Sequence, residues 1–158
     1  MAMTIKTDGL EQLHTMLAQL GEKAYDVAAE SLYEGAGVVA NAFKGAIGSI
    51  RTAPFKGKKD LRLPSPEEKA ALRGKSGIAN FNRTGDGVDT LIGISGSAGY
   101  ADIGGKKKAV RLIARSINSG TSFMNAQPVF RRAVSKSRAK AQEAIVNKAE
   151  EKFNEIIK

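Results

Sequence analysis

Three short stretches carry residue types that could do chemistry. Gly74-Lys75-Ser76 has the ending of a phosphate-binding loop, in which backbone amides and a lysine cradle nucleotide phosphates, but Lys69 stands at the upstream position where that loop needs glycine. Gly85-Asp86-Gly87 opens like a dinucleotide-binding fingerprint, with Thr90 in place of its third glycine. Gly93-Ile94-Ser95-Gly96-Ser97 offers the serine of a nucleophile elbow without the closing glycine. No helical pattern follows any of them, so the first two read as turns and the third lacks the helix that a nucleophile elbow needs. The acid pairs Glu67-Glu68 and Glu150-Glu151 are sequence neighbours, which diverge on a helix. They read as solvated first-turn or surface carboxylates rather than as an acid–base pair. A zinc site needs three or four ligands, and the chain has one histidine, His14, and no cysteine. The sequence therefore predicts a protein that is not an enzyme, with no catalytic residues, no metal and no cofactor.

The remaining chemistry is positive charge. Arg131, Arg132, Lys136, Arg138 and Lys140 follow one another without an intervening acid, and Lys106-Lys107-Lys108 form a second run. The net charge of +9 points to an acidic partner: a protein face, a nucleic acid or a membrane surface. With no tryptophan and three tyrosines, recognition of single strands by base stacking is poorly supported. No run of about 18 apolar residues is present, and none is predicted to span a membrane. The opening MAMTIKTDG lacks the basic-then-apolar order of a signal peptide, and the absence of cysteine gives no sign of an oxidising compartment, so synthesis in the cytoplasm is expected.

A chain of 158 residues fits one domain with a modest core. Residues 4–7 are β-prone. Asp8 and Glu11 form a variant capping box before Leu10, Leu13, Leu17 and Leu20, with Gly21 closing the turn. His14 lies beside this stripe and reads as a boundary residue. A helix is predicted from residue 22 to about 50, with Tyr25, Ala29, Leu32, Ala36, Val39, Phe43, Ile47 and Ile50 on one face. Gly35, Gly37, Gly45 and Gly48 sit inside it at a cost of about 1 kcal/mol each, which close approach of another backbone, or a kink near 45–48, would explain. Residues 51–76 read as a long, basic, mobile loop, containing a short helix capped by Ser65 and Pro66 and stopped by Gly74. Residues 78–83 and 88–95 flank a hairpin turn at 84–87. Residues 96–108 read as a glycine-rich stretch, and Val110, Ile113, Ala114 and Ile117 restore helical spacing up to Gly120. A last helix runs from about 128 to 157, burying Phe130, Val134, Ala141, Ile145, Ala149 and Ile156. The predicted fold is α+β: a small, mostly antiparallel sheet packed by two long helices.

The stretch GLEQLHTMLAQLGEKAYDVAAESLYEGAGVVANAFKGAI, followed far downstream by Gly120-Thr121, Met124, Ala126, Gln127-Pro128, Phe130-Arg131 and Ala133, resembles the tail-completion, or head–tail joining, family of long-tailed bacteriophages. The likeness covers nearly everything except residues 51–76. It departs from the family pattern at Asn118 and Ser119, which replace an acid and an aromatic, and at Val129, which splits the Pro-Phe pair. On this resemblance the segment from Gly120 through Thr121 and Pro128 to Phe130 is an architectural joint that locks the last helix onto the sheet. The resemblance further implies a structural virion protein of the neck, forming a homo-oligomeric ring with a hexamer as the expected order. Neighbouring neck and tail-tube proteins would be its partners, with DNA in the channel a further contact. Arg131, Arg132, Lys136, Arg138 and Lys106, Lys107, Lys108 are the candidate partner surface. A small basic nucleic-acid-binding protein is the alternative that the same charge allows.

Overall fold

The computed structural model describes residues 21, 23–53, 61–85, 87–94 and 99–157. The predicted strand at 4–7, the Leu10–Leu20 helix and His14 lie outside the described residues. The chain is α+β, built on two long helices, α1 (Lys23–Ser49) and α4 (Val129–Ile157), which pack against each other. Their contacts fix an antiparallel pairing. Glu30 meets Lys152, Gly35 meets Ala141 and Ile145, and the ring of Phe43 stacks on that of Phe130.

The seam of α1 explains one of its helix-weakening glycines. A Cβ on Gly35 would run into the Ile145 side chain and lie 2.9 Å from the Ala141 carbonyl oxygen. The backbone of α4 thus occupies the space that a side chain would need. Gly37, Gly45 and Gly48 have nothing within 4 Å of such a Cβ, so close approach explains Gly35 alone. The two cases predict opposite signs. Gly35→Ala is expected to destabilise by about 1–3 kcal/mol through overpacking, outweighing its gain in helix propensity. Gly45→Ala should stabilise by roughly 0.5–1 kcal/mol. Chemical denaturation of both variants checks the pair. The buried stripe of α1 is also shifted from the predicted one. Val27, Ser31 and Gly35 are buried at its start, while Tyr25, Ala29 and Leu32 are only half-buried, because α4 covers one side of the stripe and not its centre.

Between the long helices lie α2 (Pro66–Lys75), three antiparallel two-stranded ribbons and α3 (Val110–Ser119). The first two ribbons are one interrupted hairpin: β1 (Gly77–Ile78) pairs with β4 (Ile92–Gly93), and β2 (Asn82–Thr84) with β3 (Gly87–Asp89). The interruption is a bulge, since residues 79–81 on one side face 90–91 on the other, and Thr90 Oγ1 donates to the Ala79 carbonyl across it. The hairpin lies along α1, with Gly93 on the Phe43 ring, Phe81 against Tyr33 and the Arg83 guanidinium 4.6 Å over the ring centre of Tyr25. The third ribbon, β5 (Tyr100–Ile103) with β6 (Lys106–Ala109), occupies the stretch read as glycine-rich. Gly104 and Gly105 both take positive φ, 60° and 72°, which a two-residue hairpin turn of this hand requires. The predicted small sheet is thus divided into ribbons, each packed on helices and not on a further strand.

The main core sits at one end of the long-helix pair. Ile47 of α1, Ile50 just beyond it, Leu72 of α2, Ile103 of β5, Val110, Ile113 and Ile117 of α3, and Phe130 of α4 converge there. Of the segment read as a mobile loop, residues 54–60 lie outside the described residues, and much of 61–76 is packed. Leu72 is fully buried, Pro64 is buried, and α2 continues through Gly74 to Lys75. Its start is as the sequence predicts. The Ser65 hydroxyl accepts from the Glu68 amide, the Glu68 carboxylate accepts from the Ser65 amide, and proline occupies the first turn.

Candidate interaction surface and the joint behind it

The Gly120–Phe130 segment leaves α3 and delivers the chain to α4. Gly120 has φ 75°, a left-handed value that any side chain would strain, and its amide donates to the Ser116 carbonyl to end α3. Thr121 and Met124 then exchange backbone bonds of 2.9 and 3.3 Å across a tight turn. Met124 is buried and also forms a parallel bridge with Arg62, supported by bonds from the Arg62 amide to the Phe123 carbonyl and from the Asn125 amide to the Arg62 carbonyl.

Gln127 closes the joint. Its side-chain oxygen accepts from the Arg51 amide at 2.9 Å, and its side-chain nitrogen donates to the Arg51 carbonyl at 3.0 Å. A buried amide side chain thus satisfies the backbone just beyond α1 as a neighbouring strand would. Its own amide donates to the Ile117 carbonyl at 2.7 Å. Pro128 precedes the first helical residue, and Phe130 is 6% exposed, its ring 4.6 Å from that of Phe43 and tilted by only 15°. The joint therefore fixes α4 to α1 and to Arg62, where the sequence reading had expected attachment to the sheet.

A second polar centre stands beside the joint. The Glu68 carboxylate, with its side chain 2% exposed, accepts from both guanidinium nitrogens of Arg62 at 2.7 and 2.8 Å, from Lys108 Nζ at 3.0 Å and from the Ser65 amide at 3.1 Å. Burial pushes its pKa up, but the bonds from Arg62, Ser65 and Lys108 outweigh that and hold it at about 2. The Arg62 guanidinium is pushed up in turn by its bond to Glu68, partly opposed by burial. This corrects two readings. Glu68 is not a solvated carboxylate, although its neighbour Glu67 is exposed. Lys108 is not free for a partner, since it points back to Glu68, whereas Lys106 and Lys107 are exposed at the ribbon's turn. A further lysine is absorbed internally: Lys69 Nζ donates to the carbonyls of Gly48 and Ile50 at 2.7 and 2.9 Å, capping the end of α1.

What remains outward is the first half of α4. Arg131, Arg132, Lys136, Arg138 and Lys140 are all exposed. Arg132, Lys136 and Lys140 stand four residues apart and form a ridge, on which like charges repel, and Arg131 adds positive charge to the first turn, where the helix dipole disfavours it. None of Arg131, Arg132, Lys136 and Lys140 has an ion pair among the described residues. The sequence singled out these cations. It missed the roles of Glu68, Lys69 and Gln127, which reach Lys108, the end of α1 and Arg51, all distant along the chain.

Among the described residues no group of three or more His, Asp or Glu could hold a metal ion, and no helix is long and apolar enough to cross a membrane. Comparison of the chain with protein-family models, with curated proteins and with solved structures finds no match.

Proposed function

We propose that the chain is a structural assembly protein of a long-tailed phage virion, which completes the tail and joins it to the head as a homo-oligomer, with a ring as the expected form. The order of its sequence motifs supports this reading. The observation that carries it is the basic ridge of α4: a row of exposed, mutually repelling cations held on a rigid helix, with Arg132, Lys136 and Lys140 making no ion pair among the described residues. Such a row costs a monomer some stability and repays that cost only against an acidic surface. The joint behind it holds α4 by buried polar and aromatic contacts, so the ridge is presented without loop motion.

The test is charge reversal. The triple variant Arg131→Glu, Arg132→Glu, Lys136→Glu is expected to fold at least as well as wild type. Exposed pairs contribute about 0–1 kcal/mol, and acids in the first turn of a helix add roughly 0.3–1 kcal/mol. In a phage complementation assay, tails and DNA-filled heads should then accumulate separately. Infectious particles at wild-type titre would overturn the assembly role of the ridge. Normal assembly with lost, salt-sensitive binding to duplex DNA would instead make nucleic acid the partner.

A further inference from the structure

The outward stripe of α4 changes sign along its length. Residues 132, 136, 139–140, 143, 146 and 150 recur at three- and four-residue steps and so share one face of a helix about 43 Å long. That face is exposed throughout, while Phe130, Ser137, Ala141, Ile145 and Ala149 on the other side are buried. Its first half carries Arg132, Lys136 and Lys140. Its second half carries Glu143 and Glu150, with Val146, 49% exposed, between them. The lysines of the second half are already engaged, Lys148 by Glu151 and Lys152 by Glu30 and Glu155. Glu143 and Glu150 have no ion pair among the described residues.

We propose that the basic ridge is covered by the acidic half of the same helix in a second copy of the chain, with the two α4 helices lying side by side and antiparallel. This rests on reading the ridge as an assembly surface, and it names what covers that surface. An antiparallel pair centred about residue 142 sets the small Ala139 against Val146 of the second copy. It brings Lys140 beside Glu143 and Lys136 beside Glu150 of the second copy, and the two-fold repeats each match. A parallel pair would set like charge on like. A nucleic acid laid along the stripe would meet Glu143 within a turn of leaving the ridge and Glu150 about three turns on, so the reversal of sign favours a second copy over a polyanion. The contact is isologous and closes at two. Ring closure needs a heterologous contact and falls to other surfaces.

The experiment is sizing by light scattering and analytical ultracentrifugation on the full chain, at about 0.1 M and about 1 M salt, where the Debye lengths are about 10 and 3 Å. Wild type is expected to self-associate at the lower salt and to weaken markedly at the higher. Two variants divide the stripe, Arg132→Glu/Lys136→Glu/Lys140→Glu and Glu143→Lys/Glu150→Lys, each checked for helix content. Each alone should associate at least about tenfold more weakly. Mixed one to one they should recover wild-type association, as pairs containing one chain of each kind. A wild type that stays monomeric at low salt, reversals that leave association unchanged, or a mixture that fails to recover it would each overturn the proposal. Failed tail joining by the ridge variant with unchanged self-association would keep the assembly reading while assigning the ridge to a different protein, and so also overturns this pairing.

Discussion

Replacing Glu68 by alanine is expected to lower stability by about 3 kcal/mol, the scale of removing one partner from a buried ion pair. Three consequences combine. The Arg62 guanidinium, its side chain 19% exposed, loses both of its carboxylate bonds. Lys108 loses its partner but is open enough to turn to water, which keeps the effect toward the lower end of the range for buried pairs. The capping box of α2 opens, and the Ser65 amide is left unsatisfied. Glu68→Gln should recover part of the loss, because it can still accept from Ser65. Replacing Arg62 and Glu68 together by leucine should cost less than the sum of the single changes, as apolar substitution of both members of a pair removes the uncompensated charge. Equilibrium denaturation of wild type, Arg62→Leu, Glu68→Leu and the double variant measures this. An additive double variant would show that the two groups act independently.

The same carboxylate sets an acid limb. Its folded pKa of about 2 lies below the ordinary value of 4.5, so the unfolded chain binds its proton first as pH falls. The contribution of Glu68 is therefore fully present above about pH 4.5 and is lost progressively as pH drops toward 2. Thermal midpoints measured across that window should fall more steeply for wild type than for Glu68→Gln. Parallel curves would mean that Glu68 does not stay ionised in the fold.

Phe130→Ala is expected to cost about 3–5 kcal/mol, through lost burial and the cavity left beside Phe43. For a chain of this size that corresponds to a fall of roughly 6–20 °C in the thermal midpoint. Phe130 is buried in the main core and stacked on α1, so its removal loosens the point at which α4 begins. Phe130→Leu should be milder, since an apolar side chain still fills part of the space. The prediction also separates two roles. Phe130→Ala should weaken folding and assembly together, whereas the charge reversals on α4 should affect assembly alone. A midpoint within a degree or two of wild type would show that the ring does not support the core.

What the sequence determined by itself is what short stretches encode. The Ser65-Pro66-Glu67-Glu68 cap, the helical spacing of Val110, Ile113 and Ile117, the stop at Gly120 and the start of α4 after Pro128 are all local signals, and the structure has helices with those bounds. Each depends on dihedral preferences and on hydrogen bonds within a few residues, which residue types specify directly. The β5–β6 ribbon was legible in the same way from Gly104-Gly105 between Ile103 and Lys106, but the surrounding glycines and lysines masked it as loop. The cationic half of α4 was equally visible, because a run of charge without acids needs no fold to be read.

Only the tertiary structure decided which polar residues are spent inside. Glu67 and Glu68 are the same residue type in adjacent places, yet one is exposed and the other buried beneath Arg62 and Lys108. Lys107 and Lys108 differ likewise, since alternation along β6 turns neighbouring side chains to opposite faces, one exposed and the other bonded to Glu68 of α2. Gln127 reaches a backbone 76 positions away, and Lys69 caps a helix that ended some 20 residues earlier. Such pairings carry no local signature. A carboxylate or an amide is chemically identical whether water or a distant segment satisfies it, and only packing excludes the water.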